Sequence, residues 1–264
     1  KAQNGPSLTL RRGELNHHWT TGIVHPGEHD AAEQTRKVFE QYDRFLRQHQ
    51  LSLADNVMRT WLFLPRVDTD YRGMTEARRD VFAEHGLTPQ THYIASTGVG
   101  GAWTRPDAKV FMDAYAVSGI VPAQVSYLSA LDYLSPTHVY GVTFERGTAI
   151  AYRDRTHVIL SGTASIDRHG RIVHERDMPG QLDHTIMNVE ALLGHAGAER
   201  QDLRLLITYV RDPADMPEVE RLMTVKFGNV PLLVVHAPVC RPGWLIEVEG
   251  LATVHSRALS LPAF

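Results

Sequence analysis

One order of elements is written twice along this chain, and that order limits the fold more than any single motif does. Residues 31–50, AAEQTRKVFEQYDRFLRQHQ, set Val38, Phe39, Tyr42, Phe45 and Leu46 at helical spacing, with charges on the other face. LSLAD then leads into NVMRTWLFLP, an aromatic and aliphatic run closed by Pro65 that predicts a strand. GMTEARRDVFAEHG, residues 73–86, predicts a second helix ended by Gly86, and two strands, THYIASTGV and KVFMDAYAV, follow Pro89. From Gln181 the series repeats. QLDHTIMNVEALLGHAGA is a helix, LRLLITYVRD a strand and PADMPEVERLMTVKFG a short helix; LLVVHAPV and WLIEVEGLATV follow Pro231. Asp55 falls against Asp202, Pro89 against Pro231 and Ala116 against Ala252. Self-similarity in fixed order at this spacing predicts two copies of one α+β unit. Each copy is expected to be a mixed β-sheet with two helices packed on one face.

The expected division is a first unit over 1–118, connecting strands over 119–156, and a second unit over 157–264. The connecting stretch contains QVSYL and YGVTFERGTAIAYRD, and THVILSG follows it; these complete the second sheet or join the two. The first unit's counterpart is LTLRRGELNHHWTTGIV. The chain has 264 residues, 43% apolar and 22% charged, enough for two cores, and its net charge of −3 shows no basic cluster for nucleic acid. No run approaches 18 apolar residues, so no membrane partner is expected. A single cysteine, Cys240, excludes an internal disulfide framework and fits a reducing compartment, with the cytoplasm as the expected location.

In WLIEVEGLA, Glu247 and Glu249 stand two apart, so a strand would send both carboxylates to one side. Matching Ala252 with Ala116 puts Phe111 where Glu247 stands and Asp113 where Glu249 stands. The first copy thus lacks a carboxylate at one of these places, which predicts a single site in the second half or between halves. The bland alternative is a solvated pair of glutamates on an edge strand. The apolar run 157–160 is expected to stop at a Ser161-Gly162-Thr163 turn, where glycine lets backbone approach a ligand and the hydroxyls can bond it. A hairpin through Asp167 and Gly170 should follow.

SGTASIDRHGRIV, the AGA at 196–198, LRLLITYVRDPAD and PVCRPGWLIEVEGLA, in that order, resemble the Rid family (reactive intermediate deaminases, YjgF/UK114) over residues 157–254. Residues 34–117 resemble it as a degenerate copy. SGTASI at 161–166, QVS at 124–126, YG at 140–141 with F.R at 144–146, RTW…LP.V at 59–67, and Cys240-Arg241 with Glu247 are similar to the chorismatase branch, tandem members of the fold. Chorismatases hydrolyse the enolpyruvyl ether of chorismate. The resemblance implies a homotrimer or an internal imitation of one, a small-molecule substrate and no cofactor.

Rid substrates are enamines of the 2-aminoacrylate type, and chorismate carries an enol ether; both are acrylates with a donor heteroatom at C2. Protonation of the terminal CH2 leaves an iminium or oxocarbenium that water attacks. An enol ether needs a strong, well-placed acid, such as a carboxyl held neutral in a dry site. The resemblance assigns that role to Glu247, with Cys240 beside it lining the pocket or handling protons. In the Rid family an arginine after the penultimate strand's proline binds the substrate carboxylate. Here Leu232, Leu233 and Val234 follow Pro231, and Gln90, Thr91 and His92 follow Pro89. Other arginines must hold a carboxylate: Arg146 and Arg59 first, with Arg153, Arg155 and Arg241 weaker. Tyr140 is a candidate donor to a ring hydroxyl. The leading expectation is an enolpyruvyl hydrolase; the alternatives are imine or enamine deamination, or ligand binding without catalysis. Ser161 lies in no GxSxG elbow. His17, His18, His25 and His29 lack metal-ligand spacing and are expected in a solvated loop. TGVGGAW, 97–103, lacks GK[ST] and reads as a hairpin turn.

Overall fold

The computed structural model describes residues 7–27, 29–258 and 260–264. β1 (Ser7–Arg12), β2 (Leu15–Val24), β3 (Val57–Leu64), β4 (Ala95–Gly100) and β5 (Phe111–Ser118) form one sheet in the order β1-β2-β5-β3-β4. β6 (Val125–Tyr127), β7 (Gly147–Ala151), β8 (Arg155–Ala164), β9 (Leu203–Val210), β10 (Leu232–His236) and β11 (Ile246–His255) form the other, in the order β10-β9-β11-β8-β7-β6. Read from β7 onward, the second sheet has the strand order of the first, with β6 added at its edge. The outermost pair, β3–β4 or β9–β10, is parallel and the remaining pairs are antiparallel. A parallel pair cannot be closed by a hairpin. α3 (Val67–Glu84) makes that crossover in the first unit and α5 (Met216–Phe227) in the second. α1 (Ala31–Gln48) and α4 (Met178–His195) join the strands before them, and a single turn, α2 (Leu53–Asn56), leads into β3.

The expected α+β architecture of two tandem units is the one observed. In register, Val57 faces Ala116 and Leu203 faces Ala252. Phe111 therefore pairs with Phe63 as Glu247 pairs with Tyr209, and Asp113 with Trp61 as Glu249 with Ile207. The two opening glutamines are also equivalent. The Gln34 amide donates to Gly27 and Asp107 carbonyls and its carbonyl accepts from Lys109 N–H at 2.8 Å. The Gln181 amide donates to the Gly243 carbonyl and its carbonyl accepts from Leu245 N–H at 2.9 Å. Each ties the loop before a final strand to the first helix of its unit. Val38, Phe39, Tyr42 and Leu46 of α1 are buried, each such apolar side chain worth ~1.5–3 kcal/mol.

Four local expectations are corrected. α3 begins at Val67, not residue 73, because Pro65 ends β3 and the chain turns at once. Ser161, Gly162 and Thr163 are not a turn: β8 continues to Ala164, paired with β11 beyond Gly162. Thr97–Gly100 lie in β4, which pairs with β3 rather than turning back onto β5. His17 and His18 lie on β2 and are buried, with His17 Nδ1 2.7 Å from the Tyr115 hydroxyl. The hairpin through Asp167 and Gly170 is present: Ile166 bridges Ile172, and Gly170 has φ +78°. β6 and β7, within 119–156, belong to the second sheet.

The two sheets meet along β4. Ala95 bridges Glu145 in parallel fashion, Val99 bridges Val239, and Gly100 N–H donates to the Pro238 carbonyl at 2.7 Å. Leu15, Met58, Tyr115 and Val117 pack with Ile150 and Tyr152 in a small core between the units. Among the described residues, no helix is long and apolar enough to cross a membrane.

Candidate active site

β11 is a central strand, flanked by β8 and β9, so its glutamates are not on an edge. Glu247 and Glu249 are each 4% exposed. Their surroundings differ. Glu249 accepts from Arg59 at 2.6 Å, from the Trp61 indole N–H at 2.9 Å and from the Thr97 hydroxyl. It is held by a set of donors reaching over from β3 and β4. The Glu247 carboxyl has no such set. It lies over Gly162, where an added Cβ would sit 1.9 Å from Oε1, so only glycine leaves room for it. Burial, then the charge of Glu249, push the Glu247 carboxyl up to about 8, against the pull of Arg59 and Arg146. At neutral pH it carries its proton.

Glu247 faces a cavity between the units. The second unit and its connecting stretch contribute Tyr140, Val142, Phe144, Arg146, Gly162, Cys240, Arg241 and Trp244; the first contributes Tyr71, Arg78, Ser96 and Gly98. The space between the lining atoms is about 490 Å3 with its mouth included.

Of the residues singled out from sequence, the structure gathers Glu247, Cys240, Arg146, Tyr140, Gly162 and Arg241 on this cavity. Arg146 is buried and donates to the Ser135 carbonyl at 2.9 Å and the Tyr140 hydroxyl at 2.7 Å. The Arg241 guanidinium lies over the rings of Tyr140 and Trp244, 4.7 and 4.8 Å from their centroids. Burial, then the charge of Glu247, push the Cys240 thiol up to about 12, so it is a thiol and not a thiolate at neutral pH. Arg59, Ser161 and Thr163 are buried behind the wall. Arg59 is spent on Glu249, Ser161 and Thr97. The Ser161 hydroxyl donates to the Glu145 carbonyl and accepts from Ser96 N–H and Arg59, while Thr163 donates to the Ser161 carbonyl. Arg59 and Ser161 couple β3, β4 and β8 across the junction. Arg153 and Arg155 lie away from the cavity lining.

Two arginines escaped the sequence reading. Arg78 lines the cavity from α3, fully buried. Its stripe partners, Met74, Ala77, Val81 and Phe82, are apolar and buried at helical spacing, a signal that it faces inward. Arg211 donates to the carbonyls of Trp244 at 2.9 Å, Arg241 at 3.0 Å and Val239, and holds Asp68 through two bonds of 3.1 Å. It thereby fixes the loop bearing Cys240, Arg241 and Trp244, and pins it to the first unit. Among the described residues, no group of three His, Cys, Asp or Glu side chains could hold a metal ion.

The fold and cavity define a class: a two-unit Rid-fold protein with one buried carboxyl acid and a wall of arginines. The crystal structure of a chorismatase has this fold across 96% of the chain and 78% of its own, with TM-score 0.77 and 22% identity. Residues 148–254 match the family described as endoribonuclease L-PSP. The 3-aminoacrylate deaminase RutC of Acinetobacter baylyi is 26% identical over 99 residues, 37% of this chain and 79% of RutC. The crystal structure of RidA from an Antarctic Psychrobacter covers 49% of this chain and 99% of its own, with 13% identity and TM-score 0.41.

Proposed function

We propose that the protein hydrolyses an enolpyruvyl ether or a related vinylogous small carboxylate, with Glu247 as the acid. The observation that carries this reading is a buried carboxyl, pushed up to about 8 by burial, on a cavity lined by arginines. Glu247 gives its proton to the terminal CH2 of the acrylate, forming CH3 and leaving an oxocarbenium at C2. Water adds to C2, and the C–O bond to the leaving alcohol breaks as that oxygen takes a proton. Pyruvate and the free alcohol depart, and the proton lost by the water restores Glu247. The charge at C2 develops close to where the substrate carboxylate is held, so the arginines position the substrate more than they stabilise the cation. Arg146 and Arg241 serve as substrate-binding cations, Tyr140 as a hydroxyl donor and Cys240 as a neutral wall or proton-handling group.

The second reading is Rid-type deamination, in which the same protonation and hydration release ammonia from an enamine or imine. The likeness to RutC, a 3-aminoacrylate deaminase, and the family match of residues 148–254 favour it. The missing family arginine after Pro231 weighs against simple imine deamination and toward the ether. Pyruvate release from chorismate and ammonia release from freshly generated imines, assayed side by side, separate the two. Pyruvate from chorismate is expected; ammonia alone would install the second reading. Inactivity in both assays, with tight binding of an aromatic carboxylate, would leave a ligand-binding protein.

A further inference from the structure

Arg78 is a buried charge with little to hold it. The side chain is 1% exposed, and its hydrogen bonds to the hydroxyls of Thr143 and Ser96 are both long, at 3.4 Å. Nη2 has no hydrogen-bond partner among the described residues. The remaining neighbours are neutral: the Tyr71 hydroxyl lies against it, with Cys240 and Tyr140 nearby, and the Phe82 ring is 5.9 Å away. Among the described residues, no carboxylate forms an ion pair with it. A buried guanidinium without a counter-ion is expensive to fold around, since desolvation is not offset by any opposite charge.

The other buried arginine from the first unit shows the contrast. Arg59 sits at the same junction and is matched by Glu249 at 2.6 Å. Arg78 lines the cavity instead and brings its unmatched charge to the same walls as Glu247. With Glu247 neutral, Arg78 and Arg146 face the cavity with no ionised carboxylate among its lining residues. We infer that Arg78 is the residue that binds the substrate carboxylate, and that the first unit is retained because α3 supplies it.

This deepens the reading under which the substrate is a small acrylate, and it explains the absent family arginine. The cation comes from a helix of the opposite unit rather than from the strand after Pro231. A guanidinium presents a planar fork matched to a carboxylate, and Nη2 is the free prong. Phosphate would also be attracted, since its oxygens match the same fork.

Both candidate reactions release pyruvate, so pyruvate is the probe, with pyruvamide as its neutral counterpart and inorganic phosphate as the rival anion. Binding is measured by ligand-observed NMR on the full chain, in wild type, Arg78→Met and Arg78→Lys. Wild type should bind pyruvate at least tenfold more tightly than pyruvamide and than phosphate. Arg78→Met should erase the preference over pyruvamide while leaving pyruvamide itself unchanged; Arg78→Lys should retain part of it. Because the unmatched charge is removed, Arg78→Met should melt no lower than wild type in the absence of ligand. Binding needs no turnover, so inactivity toward chorismate and imines would sink the catalytic reading and leave this one standing. A methionine variant that still prefers pyruvate, a wild type that binds neither compound, tighter binding of phosphate, or a methionine variant that melts well below wild type would each overturn it.

Discussion

Glu247→Gln tests the acid by two routes that need not agree unless the geometry is right. Glutamine keeps the shape over Gly162 but has no proton to give. If Glu247 protonates substrate, turnover falls by ~10²–10⁴, the usual contribution of a positioned acid. Wild-type turnover itself should decline as pH rises through about 8, where the carboxyl loses its proton. The second route is stability. The carboxyl is raised from 4.5 to about 8, so between those values the folded chain holds a proton that the unfolded chain has released. Stability is then complete below about 4.5, falls as pH climbs to about 8, and is level above it. At ~1.36 kcal/mol per decade the fall is at most ~5 kcal/mol, and relaxation or entering water reduces it to ~2–3 kcal/mol. For a chain this size that is a melting shift of ~5–10 °C. Glutamine abolishes that titration. The variant should melt close to wild type at pH 5 and ~5–10 °C above it at pH 9, read by differential scanning calorimetry. Other titrating groups are common to both proteins and cancel in the difference. A melting gap independent of pH, or one that opens toward acid, would refute the argument whatever happens to activity.

Gly162→Ala places a methyl group 1.9 Å from Glu247 Oε1, so the carboxyl must leave its seat; turnover should fall at least ~100-fold with ~1–3 kcal/mol lost from urea denaturation. Glu249→Gln strands the buried Arg59 charge and should cost ~3–5 kcal/mol, while the double variant Arg59→Met, Glu249→Gln recovers part of that loss; strictly additive losses would deny the pair. Cys240, pushed up to about 12, should resist iodoacetamide at pH 7–8, and Cys240→Ala should slow turnover by less than tenfold; rapid alkylation with inactivation would restore a thiolate role.

The repeat was legible because it rests on local signals: amphipathic helices, strand runs and the prolines between them. The match of Ala116 with Ala252 needed no structure, and the observed register bears it out. What sequence could not show was where the second sheet lies relative to the first. Ser161 looked like a group for a ligand because hydroxyls after a strand often are; it is instead consumed by Arg59, Ser96 and Glu145. Arg59 looked like a free cation because its counter-charge lies 190 positions away. Arg78 was hidden in EARRD, which reads as a solvated helical face. Its place in the Met74–Phe82 stripe marks it as buried, but burial alone does not reveal that it lines a cavity with Glu247.

The asymmetry between the units follows from one exchange of side chains. Where the second unit sets Glu247, the first sets Phe111, stacked on Phe63 at 4.9 Å and packed with Trp103, Val24 and Ala108. The counterpart cavity is thus filled with rings, and the energy that would hold an open polar pocket goes into packing. Asp113, at the place of Glu249, accepts from Gly22 N–H at 2.7 Å instead of from an arginine of the other unit. The first unit has given up an acid of its own while placing Arg59 and Arg78 at the border of the second. One arginine anchors the ion that helps keep Glu247 protonated, and the other stands unmatched on the cavity wall. A single second unit lifted from this context would lose both cations and the β4 edge, leaving Glu247 open to water and at an ordinary carboxylate acidity.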